Sequence, residues 1–132
     1  MSARTSLALG LLLATAFGCV AEPTTAPSFV DADAWCDDAG EVWTFWAKVD
    51  HDDGPRAVAW VVMEAALELG EGRLDSVYVA DLEYQAEGEW SGTLENGVTA
   101  LDCNAPEPYA YLFTAEDSDG DQGFFDFYES LE

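Results

Sequence analysis

Alternation of apolar and polar residues dominates the pattern of this chain from residue 41 onward. Residues 41–49 alternate well, and residues 109–115 repeat the pattern with aromatic side chains. Because successive side chains of a strand point to opposite faces, a period of two predicts strands with one buried face. The apolar positions of these two segments are Trp43, Phe45, Ala47, Val49, Tyr109, Tyr111, Phe113 and Ala115. Further segments of strand length lie at 76–84, 88–94, 97–103 and 122–129.

Glycine marks the boundaries between these segments. Residue pairs such as Asp-Gly and Asn-Gly favour hairpin turns, because their backbones tolerate positive φ angles. The candidate turns are Ala39-Gly40, Asp53-Gly54, Glu71-Gly72, Glu87-Gly88, Asn96-Gly97 and Asp119-Gly120. Short strands separated by regular turns predict an all-β antiparallel sandwich of about seven strands.

Residues 56–69 fit two patterns. As a strand, the odd-numbered positions from Ala57 to Leu69 form an apolar face. As a helix, Val58, Val61, Val62, Ala65 and Leu69 form a stripe that Gly70 would end. The β-branched residues at 58–62 favour the strand, and we predict a strand here, with the helix as the alternative.

The N-terminus has the features of an export signal. Arg4 precedes an uncharged apolar run, Leu7–Phe17, which is too short to span a bilayer as a helix. The run ends at Gly18-Cys19, and this junction resembles the lipobox of bacterial lipoproteins. An ordinary secretory signal cleaved elsewhere, for example after Ala21, is the alternative.

The lipoprotein resemblance implies a division of the chain and an address. Residues 1–18 would be the signal peptide, residues 19–28 an acylated Cys19 with a short tether, and residues 29–132 the folded domain. Cys19 would carry fatty acyl chains such as palmitate and anchor the protein in the bacterial cell envelope. In bacterial lipoproteins, Asp directly after the acylated cysteine favours retention in the inner membrane. Here that residue is Val20, so the resemblance favours the outer membrane.

Charge and cysteine content narrow the function classes. The chain carries 27 acidic residues, four basic residues and a formal net charge of −23. Phosphate backbones would repel such a surface, so nucleic-acid binding is not expected. Beyond Cys19, the cysteines are Cys36 and Cys103, and an even pair in an exported domain predicts a disulfide.

A C-terminal stretch carries a second resemblance. Its pattern is Tyr109-x-Tyr111-x-Phe113-x-Ala115-x-Asp117-Ser118-Asp119-Gly120. It resembles the penultimate strand and final hairpin of immunoglobulin-like and fibronectin-III-like modules of bacterial surface proteins. The resemblance implies an immunoglobulin-like sandwich over residues 29–132. Tyr109 would then be a tyrosine-corner residue and Trp46 the core tryptophan.

Candidate chemistry is sparse. Asp117, Asp119 and Asp121 alternate around a glycine, so they predict either solvated turn residues or a calcium site. His51 is the lone histidine and is expected at the surface. No nucleophile elbow, phosphate loop or zinc motif occurs in the sequence, so we do not expect an enzyme, and no cofactor other than calcium is indicated.

The sequence therefore predicts a lipid-anchored, non-catalytic binding or structural module. Its alternative is a calcium-stabilised, adhesion-type module using the turn at 117–121. Alternation places Trp46 and Trp60 opposite the more apolar faces of their strands. Core or partly covered packing is the expectation for the tryptophans, and an exposed tryptophan patch is the alternative, which would indicate a protein or carbohydrate partner at the cell surface.

Overall fold

A computed structural model of the chain describes residues 26–104 and 109–128. The signal peptide, Cys19 and most of the tether predicted from the sequence lie outside these ranges. The strands are β1 Ser28–Cys36, β2 Val42–Asp50, β3 Val58–Gly70, β4 Arg73–Asp81, β5 Glu83–Ala86, β6 Glu89–Glu95, β7 Tyr109–Asp117 and β8 Gln122–Tyr128. No helix within the described ranges has the length and apolar character that a membrane crossing requires.

The strands form two four-stranded antiparallel sheets. Sheet A has the order β1-β2-β6-β5, and sheet B has the order β4-β3-β7-β8. In the usual immunoglobulin lettering, β1, β2 and β3 are strands A, B and C, β4 is strand C′, and β5 to β8 are strands D to G. The first sheet then has the order ABED and the second the order C′CFG, which is the arrangement of an immunoglobulin-like Greek key. The predicted all-β sandwich is confirmed, with eight described strands rather than about seven.

The alternation read from the sequence produces the core. In β2 and β7 the apolar positions named above are all buried, while the residues between them, apart from the buried Ala110, are half-buried on the outer faces. The two inner faces meet through aromatic contacts, such as the edge-to-face pair of Trp43 and Tyr109. The core tryptophan of β2 is therefore Trp43, and the expectation for Trp46 was wrong. Trp46 points outward and donates its Nε1–H to Glu89 Oε1 at 2.9 Å.

Residues 58–70 form a strand, so the helical alternative for this segment is wrong. The inward face differs from the predicted one at its start, because a bulge between Val58 and Trp60 shifts the pairing with β7. Val58 is buried and Ala59 is exposed, the reverse of the expected alternation. The predicted face also ends early, because Ala66 is buried and Leu69 is exposed. A bulge places an extra residue in one strand, which reverses the face that later residues occupy.

Three further segments differ from expectation. Residues 97–103 contain no strand, and β1 was not predicted as one. The predicted strand 76–84 is two strands, because the chain leaves sheet B after Asp81 and enters sheet A at Glu83. Between them Leu82 is buried, and its backbone N–H donates to the Val61 carbonyl at 2.9 Å.

The predicted turns lie between strands. All six of their glycines have positive φ angles. In the pairs Glu71-Gly72 and Glu87-Gly88, both residues have positive φ angles. This is the conformation of a two-residue type I′ hairpin turn.

The disulfide joins Cys36, at the end of β1, to Cys103, in the connection between β6 and β7, with their Cα atoms 6.0 Å apart. Asn96 Oδ1 fixes this connection by accepting the N–H of Cys103 at 2.8 Å and Trp43 Nε1–H at 3.3 Å. The Tyr109 hydroxyl accepts the backbone N–H of Asp102 at 3.2 Å. This contact with upstream backbone is the one that the tyrosine-corner resemblance implied.

One glycine lets the two sheets meet along an edge. Gly123 of β8 lies against the backbone carbonyl of Pro27, just before β1. A Cβ at this position would overlap that carbonyl oxygen, so any other residue would displace the start of β1. The chain therefore enters the domain beside the hairpin between β7 and β8.

Candidate functional site

A buried His–Asp pair lies at one end of the sandwich. His51 directly follows β2, and Asp117 is the last residue of β7. Both side chains are 1 % exposed, and His51 Nε2 lies 2.9 Å from Asp117 Oδ2. The pair therefore links a connection that leaves sheet A to a hairpin of sheet B.

Hydrogen bonds define the protonation of this pair. The backbone N–H of Asp53 donates to His51 Nδ1 at 3.0 Å, so Nδ1 is an acceptor and the proton lies on Nε2. Nε2–H then donates to Asp117 Oδ2. Both ring nitrogens are committed to protein partners, so neither is free to accept a proton from a substrate.

Asp117 accepts a second set of hydrogen bonds at its other oxygen. Oδ1 receives the backbone N–H groups of Asp119 at 3.0 Å and Asp121 at 2.9 Å. The hydrogen bond from His51 is the main reason that the pKa of Asp117 lies below its ordinary value of 3.8. Burial acts in the opposite direction, and the two backbone N–H groups lower the pKa further.

This arrangement makes Asp117 a structural acceptor that closes the β7–β8 hairpin. The expectation that His51 lies at the surface was wrong. Every second residue of β2 up to Val49 faces the core, and His51 lies two positions after Val49. Asp117 likewise lies two positions after Ala115, an inward-facing residue of β7. The alternating pattern of β2 and β7 therefore predicts that both residues of the pair face inward, if it is extended beyond the apolar positions.

The acidic residues predicted as calcium ligands are arranged differently from a ligand set. Asp119 and Asp121 are exposed and direct their backbone N–H groups, not their carboxylates, toward Asp117. Within residues 26–104 and 109–128, no three His, Cys, Asp or Glu side chains are grouped so that they could hold a metal ion. This arrangement does not favour the calcium alternative, and a melting experiment tests it.

We expect millimolar calcium to leave the thermal midpoint of the protein unchanged. The carboxylate of Asp117 already accepts three hydrogen bonds, so an ion would have to displace protein donors in order to bind there. The measurement is a thermal melt with calcium and with a chelator, using magnesium as the control. A rise in midpoint that is specific to calcium, and that Asp117→Asn abolishes, would contradict this expectation.

Asp117→Asn should make the free energy of unfolding of the protein less dependent on pH in acid. Because the pKa of Asp117 is lowered by folding, its carboxylate contributes stability that is fully present above pH 3.8 and disappears as the pH falls through the folded value. Urea unfolding at pH values from about 7 to 2 measures this. The control is Asp119→Asn, whose side chain is exposed. Parallel pH profiles for the wild type and Asp117→Asn would refute the assignment.

A small cavity lies at the edge of the sandwich where β5 and β6 face the start of β3. It has a volume of about 190 Å³ and is lined by Pro55, Arg56, Val58, Tyr84 and Trp90. Trp90 is buried, and its Nε1–H has no hydrogen-bond partner among the described residues. Arg56 contributes a positive charge to the lining, but the strongly negative chain opposes the approach of an anion.

The outer face of sheet B has a larger groove of about 420 Å³. In the register of the sheet, one row across the strands is Val79, Glu64, Leu112 and Asp126. The next row is Asp81, Val62, Thr114 and Phe124. Apolar residues therefore zigzag across all four strands, and we name this set the sheet B stripe: Val79, Val62, Leu112 and Phe124.

The sheet B stripe is uncovered in the described structure. Phe124 is 70 % exposed and Val79 is 56 % exposed, while Val62 and Leu112 are half-buried. Sequence analysis missed this surface, because its residues come from four separate strands and, along the chain, stand beside apolar residues that face the core. On sheet A, the exposed Trp35 and half-buried Trp46 stand on the outer face among polar residues.

No protein-family model matches the chain, and no curated protein matches it.

Proposed function

We propose that the protein is a lipid-anchored, immunoglobulin-like module of the bacterial cell envelope with a non-catalytic binding role. The observation that carries the binding role is the sheet B stripe, an apolar surface left open on a chain of net charge −23. Contiguous exposed apolar patches on soluble domains mark interaction sites. The proposed partner is a protein, since the stripe has the form of a docking surface and not of an enclosed small-molecule pocket.

Two features support the extracytoplasmic location. The sequence has a signal-like segment that ends at Cys19, and the domain has a disulfide between Cys36 and Cys103. Disulfides persist in oxidising compartments such as the periplasm and the cell surface. The strong negative charge adds no attraction to anionic headgroups, so the acyl chains alone would hold the protein at the membrane.

The lone histidine supports a non-catalytic role. Both of its ring nitrogens are engaged, Nδ1 by the N–H of Asp53 and Nε2 by Asp117. A general base needs a free nitrogen within reach of a substrate proton. The pair therefore acts in the fold, where it links the two sheets at one end.

Cys19→Ser should release the protein from the membrane fraction of a bacterial host. The wild type should sediment with membranes, incorporate an alkyne-tagged fatty acid and, on a density gradient, follow the outer membrane. The serine variant should lose the label, because the hydroxyl replaces the thiol that is acylated. Ser28→Ala, a conservative change at the start of β1, is the matched control.

Equal sedimentation of the wild type and Cys19→Ser, with no fatty-acid label in either, would refute the anchor. Label and sedimentation with the inner membrane would refute only the outer-membrane part of the proposal. The disulfide gives an independent test of the compartment, since exported protein should run faster on a non-reducing gel than after reduction.

A further inference from the structure

We propose that the outer face of sheet B binds a cationic, amphipathic polypeptide segment, with the sheet B stripe as its apolar contact. This rests on the proposed binding role and names the chemistry of the partner. Of the surfaces described above, this face combines exposed apolar side chains with carboxylates at fixed, adjacent positions of a rigid sheet.

Carboxylates alternate with the stripe residues in the same two rows. Glu64 stands between Val79 and Leu112, while Asp126 and Asp81 stand at opposite edges of the face. Glu116 lies on the same face of β7, one position further along, paired with Trp60. Every apolar position therefore has a carboxylate as a cross-strand or diagonal neighbour, within reach of a long side chain.

No described cation neutralises this face. Lys48 is on the outer face of sheet A, Arg56 lies in the short 3₁₀ turn before β3, and Arg73 is the first residue of β4. None of the three belongs to the two rows of the stripe. Glu116 Oε1 accepts the side-chain N–H of Gln122 at 2.8 Å, but this neutral donor leaves its charge in place. The carboxylates can therefore attract lysine or arginine side chains of a partner, and this attraction depends on ionic strength.

The dimensions fit a short helix laid across the strands. Four strands have three spacings of about 4.8 Å, so the stripe is about 14 Å long. A helix rises 1.5 Å per residue, so about ten residues span it. Apolar side chains at helical spacing would contact the stripe, with basic side chains on either side of them reaching the carboxylates.

Charge opposes three competing occupants. A second copy of this chain would bring together two surfaces of the same strong negative charge, which opposes association. An anionic lipid surface and a nucleic acid are repelled for the same reason. A partner with apolar and basic side chains removes the stripe from water and also pairs with the carboxylates that surround it.

The test measures binding of a synthetic helical peptide of leucine and lysine, about eighteen residues long, which gives about five turns. The full chain carries Cys19→Ser, so that no acyl chain and no detergent are needed. Two comparison peptides have the same length. One replaces lysine with glutamate, and the other keeps the lysines but replaces leucine with glycine and serine. Fluorescence anisotropy at physiological ionic strength gives each dissociation constant.

We expect the Leu/Lys peptide to bind and both comparison peptides to bind at least about tenfold more weakly. Phe124→Ser should weaken the Leu/Lys peptide about tenfold, because an exposed aromatic anchor is lost. Trp35→Ser, an equally drastic change at an exposed aromatic of sheet A, should leave binding unchanged. Asp126→Asn should weaken binding and reduce its salt dependence, whereas Asp119→Asn should do neither.

Equal binding by Phe124→Ser and Trp35→Ser would overturn the assignment to sheet B. Equal binding of the Leu/Lys and Gly/Ser/Lys peptides would show attraction by charge alone and would overturn the role of the stripe. Binding of the Leu/Glu peptide would overturn the cationic partner. Val79→Thr repeats the test at a second stripe position, in case Phe124→Ser misfolds. Membrane anchoring is measured separately, so a failure here leaves the test of the anchor intact.

Discussion

Replacing Cys36 and Cys103 together by alanine should lower the free energy of unfolding by about 4 kcal/mol. The bridge joins residues that are 67 positions apart, and in the chain-entropy account a long closed loop restricts the unfolded chain strongly. The cysteines also connect the end of β1 to the connection that precedes β7. Guanidinium unfolding of the oxidised wild type and of the double variant measures the difference.

Reduction of the wild type provides the control for side-chain loss. The reduced protein keeps both sulfur atoms in place, so it should be destabilised by nearly the same amount as the double alanine variant. A difference of less than about 1 kcal/mol between oxidised and reduced protein would contradict the entropic role of the bridge. It would indicate that the β6–β7 connection is fixed by Asn96 and Tyr109 without the covalent bond.

Phe45→Ala should destabilise the domain by about 3–5 kcal/mol. Phe45 is completely buried in the middle of β2 and stacks on Trp43 with ring centroids 5.8 Å apart. It also contacts Tyr78 of the opposite sheet, with centroids 6.0 Å apart. Truncation removes apolar burial and leaves a cavity between the sheets. Urea unfolding measures the loss.

Phe124→Ala is the matched control, because it removes the same side chain from an exposed position. Its effect should stay within about 0.5 kcal/mol of the wild type. Similar losses for the two variants would contradict the division into an inner face and an open outer face. It would mean that the sheet B stripe is packed against another part of the protein.

The fold was predictable where one strand face is strongly apolar. The aromatic series of β2 and β7 gave the correct faces, and the six glycine pairs gave the connections. β1 escaped prediction because its inward residues are Ala32 and Ala34, whose small side chains contrast little with their polar neighbours. The crossing at Leu82 was hidden, since an apolar residue continues the pattern although the chain changes sheets.

The site depended on information that a local pattern does not contain. The bond between His51 and Asp117 joins residues 66 positions apart, so only the pairing of the strands brings them together. The same is true of the stripe, whose apolar zigzag depends on the register of four strands. Spacing also did not show that Asp119 and Asp121 supply backbone donors to the β7–β8 hairpin.

The entry of the chain beside Gly123 has a consequence for the orientation of an anchored molecule. A tether that leads to Pro27 meets the end where His51 and the β7–β8 hairpin lie, so this end would face the bilayer. The disulfide would then be the outermost point. The stripe crosses the strands of sheet B, so in this orientation it would run parallel to the membrane surface. A partner lying parallel to the membrane would then reach it from the side.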